Sequence, residues 1–188
     1  MCIHDSFPFL FFEMCIFITM NHNKIIEQLA NNADVFSRQL VHKLAEEYTY
    51  KPNKDKWCML EVICHLVDEE REDFRARIQS VLENPKNQLP GFNPVEWVSS
   101  RKYIEQDFAA KLAEFEDERR KSIAWMKSLN NPTWTNAYDH PKAGPLSAEF
   151  FLANWLAHDF IHIRQINRLS FEYLEDFARV NLDYAGNF

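Results

Sequence analysis

The chain is poor in glycine, with three among 188 residues. Glycine supplies the left-handed backbone of tight turns, so its scarcity argues against a turn-rich β fold and in favour of helices. Alternation of apolar and polar residues over strand length is missing as well, which removes the period-two signal of a half-buried sheet. Basic charge is in deficit: 21 Lys and Arg stand against 28 Asp and Glu, a net charge of −7. That balance argues against a nucleic-acid partner, and its main physical consequence is solubility. Cysteine is sparse and unpatterned. Cys2, Cys15, Cys58 and Cys64 form neither a Cys-x-x-Cys nor a zinc-finger spacing. They read as reduced thiols of a cytosolic protein, with Cys64, next to His65, a buried inert one.

Long uninterrupted hydrophobic runs are absent too. The opening stretch "MCIHDSFPFLFFEMCIFITMNHNK" is broken by Pro8 and Glu13, which leaves it short of the roughly 20 apolar residues that span a bilayer. It has no Lys or Arg ahead of its apolar part and no clear small-residue cleavage site, so it makes a poor secretory signal. Residues 1–19 are therefore expected to be an N-terminal extension outside the fold, and residues 20–188 a single domain with a sizeable core. No membrane partner is expected.

What is present is helical periodicity. A first segment places Ile25, Leu29, Ala33, Phe36, Leu40 and Leu44 on one stripe and stops before the polar "YKPNKDKW". A second runs from about Trp57 to Glu83, with Ile63, Val67, Phe74, Ile78 and Val81 facing inward. The three prolines and one glycine of "NPKNQLPGFNPVEW" then break the chain. The third segment covers about 100–128 through Ile104, Phe108, Leu112, Phe115, Ile123 and Met126. After "NNPTWTNAYDHPKAGPL", a fourth helix opens at Ser147, a good N-cap, with Glu149 in its first turn. It is expected to run to about Leu169 and to be followed by a short helical tail. The pattern predicts an all-α four-helix bundle with long proline-containing loops able to line a site.

The fourth helix carries "HDFIH" at residues 158–162 inside an otherwise apolar run. At about 100° per residue, His158 and His162 share one face with Phe151, Trp155 and Leu169, and Asn154 and Gln165 lie close by. An i, i+4 histidine pair can chelate one metal; it can equally be two core histidines hydrogen-bonded to neighbours. His65, in "WCMLEVICHLVDEERED", falls among Glu61, Glu69 and Glu72 at the polar edge of the second helix. There it is either a third ligand at a cleft or a surface histidine in a solvated acidic patch. Two other metal motifs fit poorly. A di-iron bundle needs Glu-x-x-His on each of two helices, whereas Glu61 and His65 are four apart. A zincin reading puts Asp159 where a glutamate base belongs, with Glu172 or Glu175 as the third ligand.

Taken together, "WCMLEVICHLVDEEREDF", "PGFNPVEWVSSRKY", "DHPKAGPLS" and "NWLAHDFIHIRQI" resemble, in order and spacing, the DinB/YfiT-like superfamily over residues 21–185. The resemblance implies a four-helix bundle acting as a metal-dependent hydrolase or thiol-dependent transferase. It carries the family's metal triad onto His65, His158 and His162. It also implies a homodimer and a divalent metal, zinc or nickel, with positions open to water.

Three neutral imidazoles leave a metal its full charge, which draws the pKa of bound water or thiol toward neutrality. The expected protein is a cytosolic metalloenzyme that activates water or a low-molecular-weight thiol against a small molecule. The alternative is a non-catalytic metal-binding structural or interaction module of the same fold. Gln165 and Asp159 are candidates for supporting the ligands, Gln165 by orienting water and Asp159 by stabilising the helix. His140, in the loop before the fourth helix, is read as a surface histidine able to reach the mouth of the site. Arg164 is expected to pair with acids elsewhere.

Overall fold

The computed structural model describes residues 20–186. The expected extension, residues 1–19, lies outside them. Helix α1, His22–Leu40, starts at Asn21, whose side chain accepts a hydrogen bond from the Lys24 backbone N–H at 3.1 Å. Ile26, Leu29, Phe36 and Leu40 are buried along it. The helix stops there: Leu44 is 60% exposed and precedes a single turn, α2, Ala45–Tyr48.

The second segment is helical throughout but not uniform. It comprises α3, Met59–Asp68, a π-helical stretch, Glu69–Phe74, and α4, Arg75–Glu83. Every residue of α3 is buried, its acids included. A π turn holds more residues than an α turn, so it presents a wider inward arc and lets the adjacent Glu69 and Glu70 both be buried.

The third segment departs from expectation. It is divided into α5, Pro94–Ser100, a 3₁₀ turn, Tyr103–Glu105, and α6, Phe108–Ser128. Lys102 takes a left-handed φ of 49° and Asp107 caps α6 by accepting from the Ala110 N–H at 2.7 Å. Ile104 consequently points to solvent at 46% exposure, and Tyr103 is buried in its place, donating its hydroxyl to Asp68 at 2.5 Å.

The following loop contains a short antiparallel hairpin, β1, Ala137–His140, and β2, Gly144–Ser147, with Ala137 opposite Ser147 and His140 opposite Gly144. Four residues per strand are too few to show alternation in sequence. Ser147 then caps α7 through the Phe150 N–H, and α7 runs unbroken over Ala148–Ala178. The expected helix and its tail are one rod.

Helices α1, α3 with α4, α6 and α7 form the four-helix bundle, α3 packing on α6, α1 on both α6 and α7, and α4 on α7. Two apolar clusters make the core. One gathers Phe36, Ile63, Phe115 and Ile166; the other gathers Leu29, Ile78, Leu152 and Trp155. Along each helix a polar residue separates them: Asn32, Glu70, Arg119 and Asp159 are all buried. Arg119 donates to both carboxylate oxygens of Asp159 at 2.8 Å, to Glu70 at 2.9 Å and to the Leu29 carbonyl at 2.9 Å. Asn32 adds a bond to Asp159, and the Trp155 indole one to Glu70. Such a fully partnered buried ion network costs desolvation but punishes any misplacement of its helices. No helix among the described residues is long and apolar enough to cross a membrane.

A three-histidine candidate metal centre

Helix α3 delivers His65 and α7 delivers His158 and His162 to one point. The His158 Nε2 lies 3.2 Å from the Nε2 of His65 and 3.1 Å from that of His162. All three ligand atoms fall within 4.8 Å of one another. Nitrogens held about 2.0–2.1 Å from one metal, at angles between octahedral and tetrahedral, are spaced by about 2.9–3.4 Å. The two close pairs meet that spacing.

The outer nitrogens explain which way the lone pairs point. Gln165 accepts, through its amide oxygen, from His162 Nδ1 at 2.8 Å. This assigns the proton of a neutral His162 to Nδ1 and leaves its Nε2 lone pair facing the centre. With His162 Nε2 an acceptor, His158 Nε2 cannot be both donor to it and acceptor from His65, so neutral rings cannot turn both close contacts into hydrogen bonds. A cation among the three nitrogens satisfies them all.

Protonation does not relieve the crowding either. Burial, and then the charge of His162, push His65 down to about 3; burial also lowers His158 and His162. The rings are neutral at physiological pH, the form a metal requires. Aromatic walls support them: Trp57 lies 4.9 Å from the His65 ring, and Phe74, stacked on Trp155, lies 5.2 Å from His158.

The family model described as the DinB superfamily matches residues 36–166. The chain belongs to the DinB superfamily. Among solved structures it is similar to YfiT from Bacillus subtilis, described as a probable metal-dependent hydrolase with an unusual four-helix bundle topology. The identity is 16%, over 81% of this chain and 89% of that one, at a TM-score of 0.72, which is a likeness of fold. No curated protein matches the chain.

Within this DinB superfamily bundle, several sequence expectations change. His65 is not at a polar edge: it is 4% exposed, and Glu61 and Glu69 beside it are buried, while Glu72 is half-exposed. Glu61 accepts from the Cys58 N–H at 2.9 Å and pairs with Lys51, and Glu72 is gripped by both terminal nitrogens of Arg101. Glu69 is buried, pushed up to about 9 by burial and by Asp73. Asp159 is taken up by Arg119. Gln165 binds His162 itself. His140 is a turn residue, its Nδ1 accepting from the backbone of Lys142 and Ala143 inside the hairpin. Arg164 is exposed and makes no ion pair among the described residues. Glu172 pairs with Arg168. Cys64 is buried, and burial pushes its thiol up to about 12.

The sequence placed Phe74 on an inward stripe and Trp57 at the start of the second segment, but did not bring them, or Arg119, to the site. Trp57 sits two residues before α3 and carried no pattern; Arg119 is one of several charges on α6, and nothing local distinguishes the buried one. A recess of about 290 Å³ is walled by Trp57, Gln165, Lys56, Arg168 and Leu169; it includes the residues that touch His65 and His162 but is not lined by the histidines themselves. A larger one of about 620 Å³, between α1 and α6, likewise includes none of the three histidines.

Proposed function

We propose that the protein is a metal-dependent enzyme of small-molecule chemistry, with His65, His158 and His162 holding one divalent cation, zinc or nickel. The observation that carries this reading is the convergence of three Nε2 atoms at 3.1 and 3.2 Å in rings that burial keeps neutral. Such a cation, when bound, supplies a Lewis acid that lowers the pKa of coordinated water or thiol and so provides a nucleophile at neutral pH. Three histidines leave room in the coordination sphere for it.

The chain's own residues do the rest. Gln165 fixes the proton of His162 on the far side of the ring. Trp57 and Phe74 surround His65 and His158 with apolar surface, which keeps the local dielectric low and strengthens the electrostatics of the site. The recess beside Trp57 and Gln165 gives a small substrate a place to rest. Hydrolysis is the first reading and thiol transfer the second, and a homodimer in the cytosol belongs to the same proposal.

The test uses protein purified without a polyhistidine tag. Elemental analysis should find one zinc or nickel per chain. A screen of hydrolysable esters, amides and electrophile–thiol pairs should find turnover that a chelator abolishes and the metal restores. A non-catalytic module would lose melting temperature on chelation with no turnover to lose. Metal-free protein that neither takes up nor responds to divalent cations sinks the proposal.

A further inference from the structure

Two buried polar atoms near the triad lack a hydrogen bond: His65 Nδ1 and Glu69 Oε1. They face each other at 3.5 Å, on side chains 5% and 3% exposed. Two independently orphaned buried groups are costly, whereas a donor and an acceptor this close become one interaction on a small adjustment of either side chain. Glu69 is in turn not free to wander. Asp73 is its neighbour in the same buried stretch, and Asp73 is ion-paired with Arg77, so a run of polar side chains leads back from the His65 ring. The π-helical stretch begins at Glu69, one turn after His65. Its widened turn keeps Glu69 and Asp73 on the buried side while Glu70 is committed to Arg119.

We infer that Glu69 is a positioning residue for the metal centre: it accepts from Nδ1–H of His65 and thereby holds the Nε2 lone pair toward His158 and His162. Gln165 does the same for His162 through its amide oxygen. Glu69 touches no metal position and no substrate position; it acts through His65. This inference rests on the three-histidine reading above, and its test separates the two.

The probe is zinc alone, titrated against a chromophoric chelator into metal-stripped protein, together with nitrogen NMR of the histidine rings in the zinc-free state. Glu69→Leu should lose about 10–100-fold in zinc affinity. Glu69→Gln, which keeps an acceptor oxygen at the same reach, should stay close to the native value. In zinc-free native protein and in Glu69→Gln, His65 should carry its proton on Nδ1; in Glu69→Leu that preference should be lost. A merely structural role would lower the melting temperature without moving the tautomer.

Native zinc affinity in Glu69→Leu, or a His65 proton found on Nε2 in the native protein, overturns the inference. Should Glu69→Leu fail to fold, the native and Glu69→Gln spectra decide it. Should the native protein bind no zinc at all, the metal reading falls and the tautomer comparison decides the role of Glu69 without it.

Discussion

Burial holds the imidazole of His65 down to about 3, against an ordinary value of 6.5. The sign of the consequence follows from proton counting. Between those values the unfolded chain binds a proton at this position and the folded chain does not, so acid favours unfolding. The stability tied to a neutral His65 is complete above the unfolded value and is lost as pH falls toward 3. Glu69, held up to about 9 by burial and by Asp73, acts in the opposite sense: its contribution is present at low pH and lost as pH rises through the folded value. A difference between two proteins therefore isolates the histidine better than one curve. In metal-free protein, the unfolding free energy of the native chain relative to His65→Gln should shrink by about 1.4 kcal/mol per pH unit below about 6.5. Urea titrations across that range check it; a difference that does not change with pH would mean that the His65 ring is protonated in the fold. At the same scale, His65→Ala should abolish stoichiometric metal binding, because it leaves only the i, i+4 pair on α7.

At the scale of elements, α7 was legible and the segment before α6 was not. Ser147 supplies a cap visible in sequence, and Leu152, Trp155, Ile166 and Leu169 keep a helical rhythm behind it. The break at Lys102 has no such signal, since a lysine in the left-handed region replaces the glycine or asparagine that usually marks one. Whether Tyr103 or Ile104 turns inward is settled by Asp68, which offers the tyrosine hydroxyl a partner from another helix. The three histidines were legible through the family resemblance, and only in part through spacing. The i, i+4 spacing brought His158 and His162 together, but the acids around His65 read as surface because their partners, Lys51, Arg101 and Asp73–Arg77, come from other turns and other segments. The role of Asp159 needed tertiary structure as well. Asp159→Asn removes one of the two carboxylates that face the buried Arg119, leaving Glu70 as its remaining countercharge, which should destabilise the fold by about 1–3 kcal/mol. Below its lowered melting temperature the variant should still bind metal. Calorimetry with metal analysis on the same sample checks both; loss of metal with stability intact would give Asp159 a part in holding the metal.

For the whole molecule, the domain is proposed to begin at Met20. Helix α1 is capped by Asn21 from within that domain, and among the described residues both core clusters are built from Ile25 onward. Deletion should change helicity and melting temperature little; a drop of many degrees would place the extension in the core. Consecutive residues of α7 are fastened to different parts of the bundle, His158 beside His65 of α3 and Asp159 to Arg119 of α6. A turn of α7 about its own axis that eased one attachment would break the other, and the Arg119–Asp159 pair needs no metal to form. On the proposed three-histidine site the side chains are thus held ready before an ion arrives, and little ordering entropy remains to be lost on binding. Zinc uptake should accordingly leave the far-ultraviolet spectrum unchanged and show a heat-capacity change near zero, the signature of an ion entering a finished cage rather than of a chain folding around it.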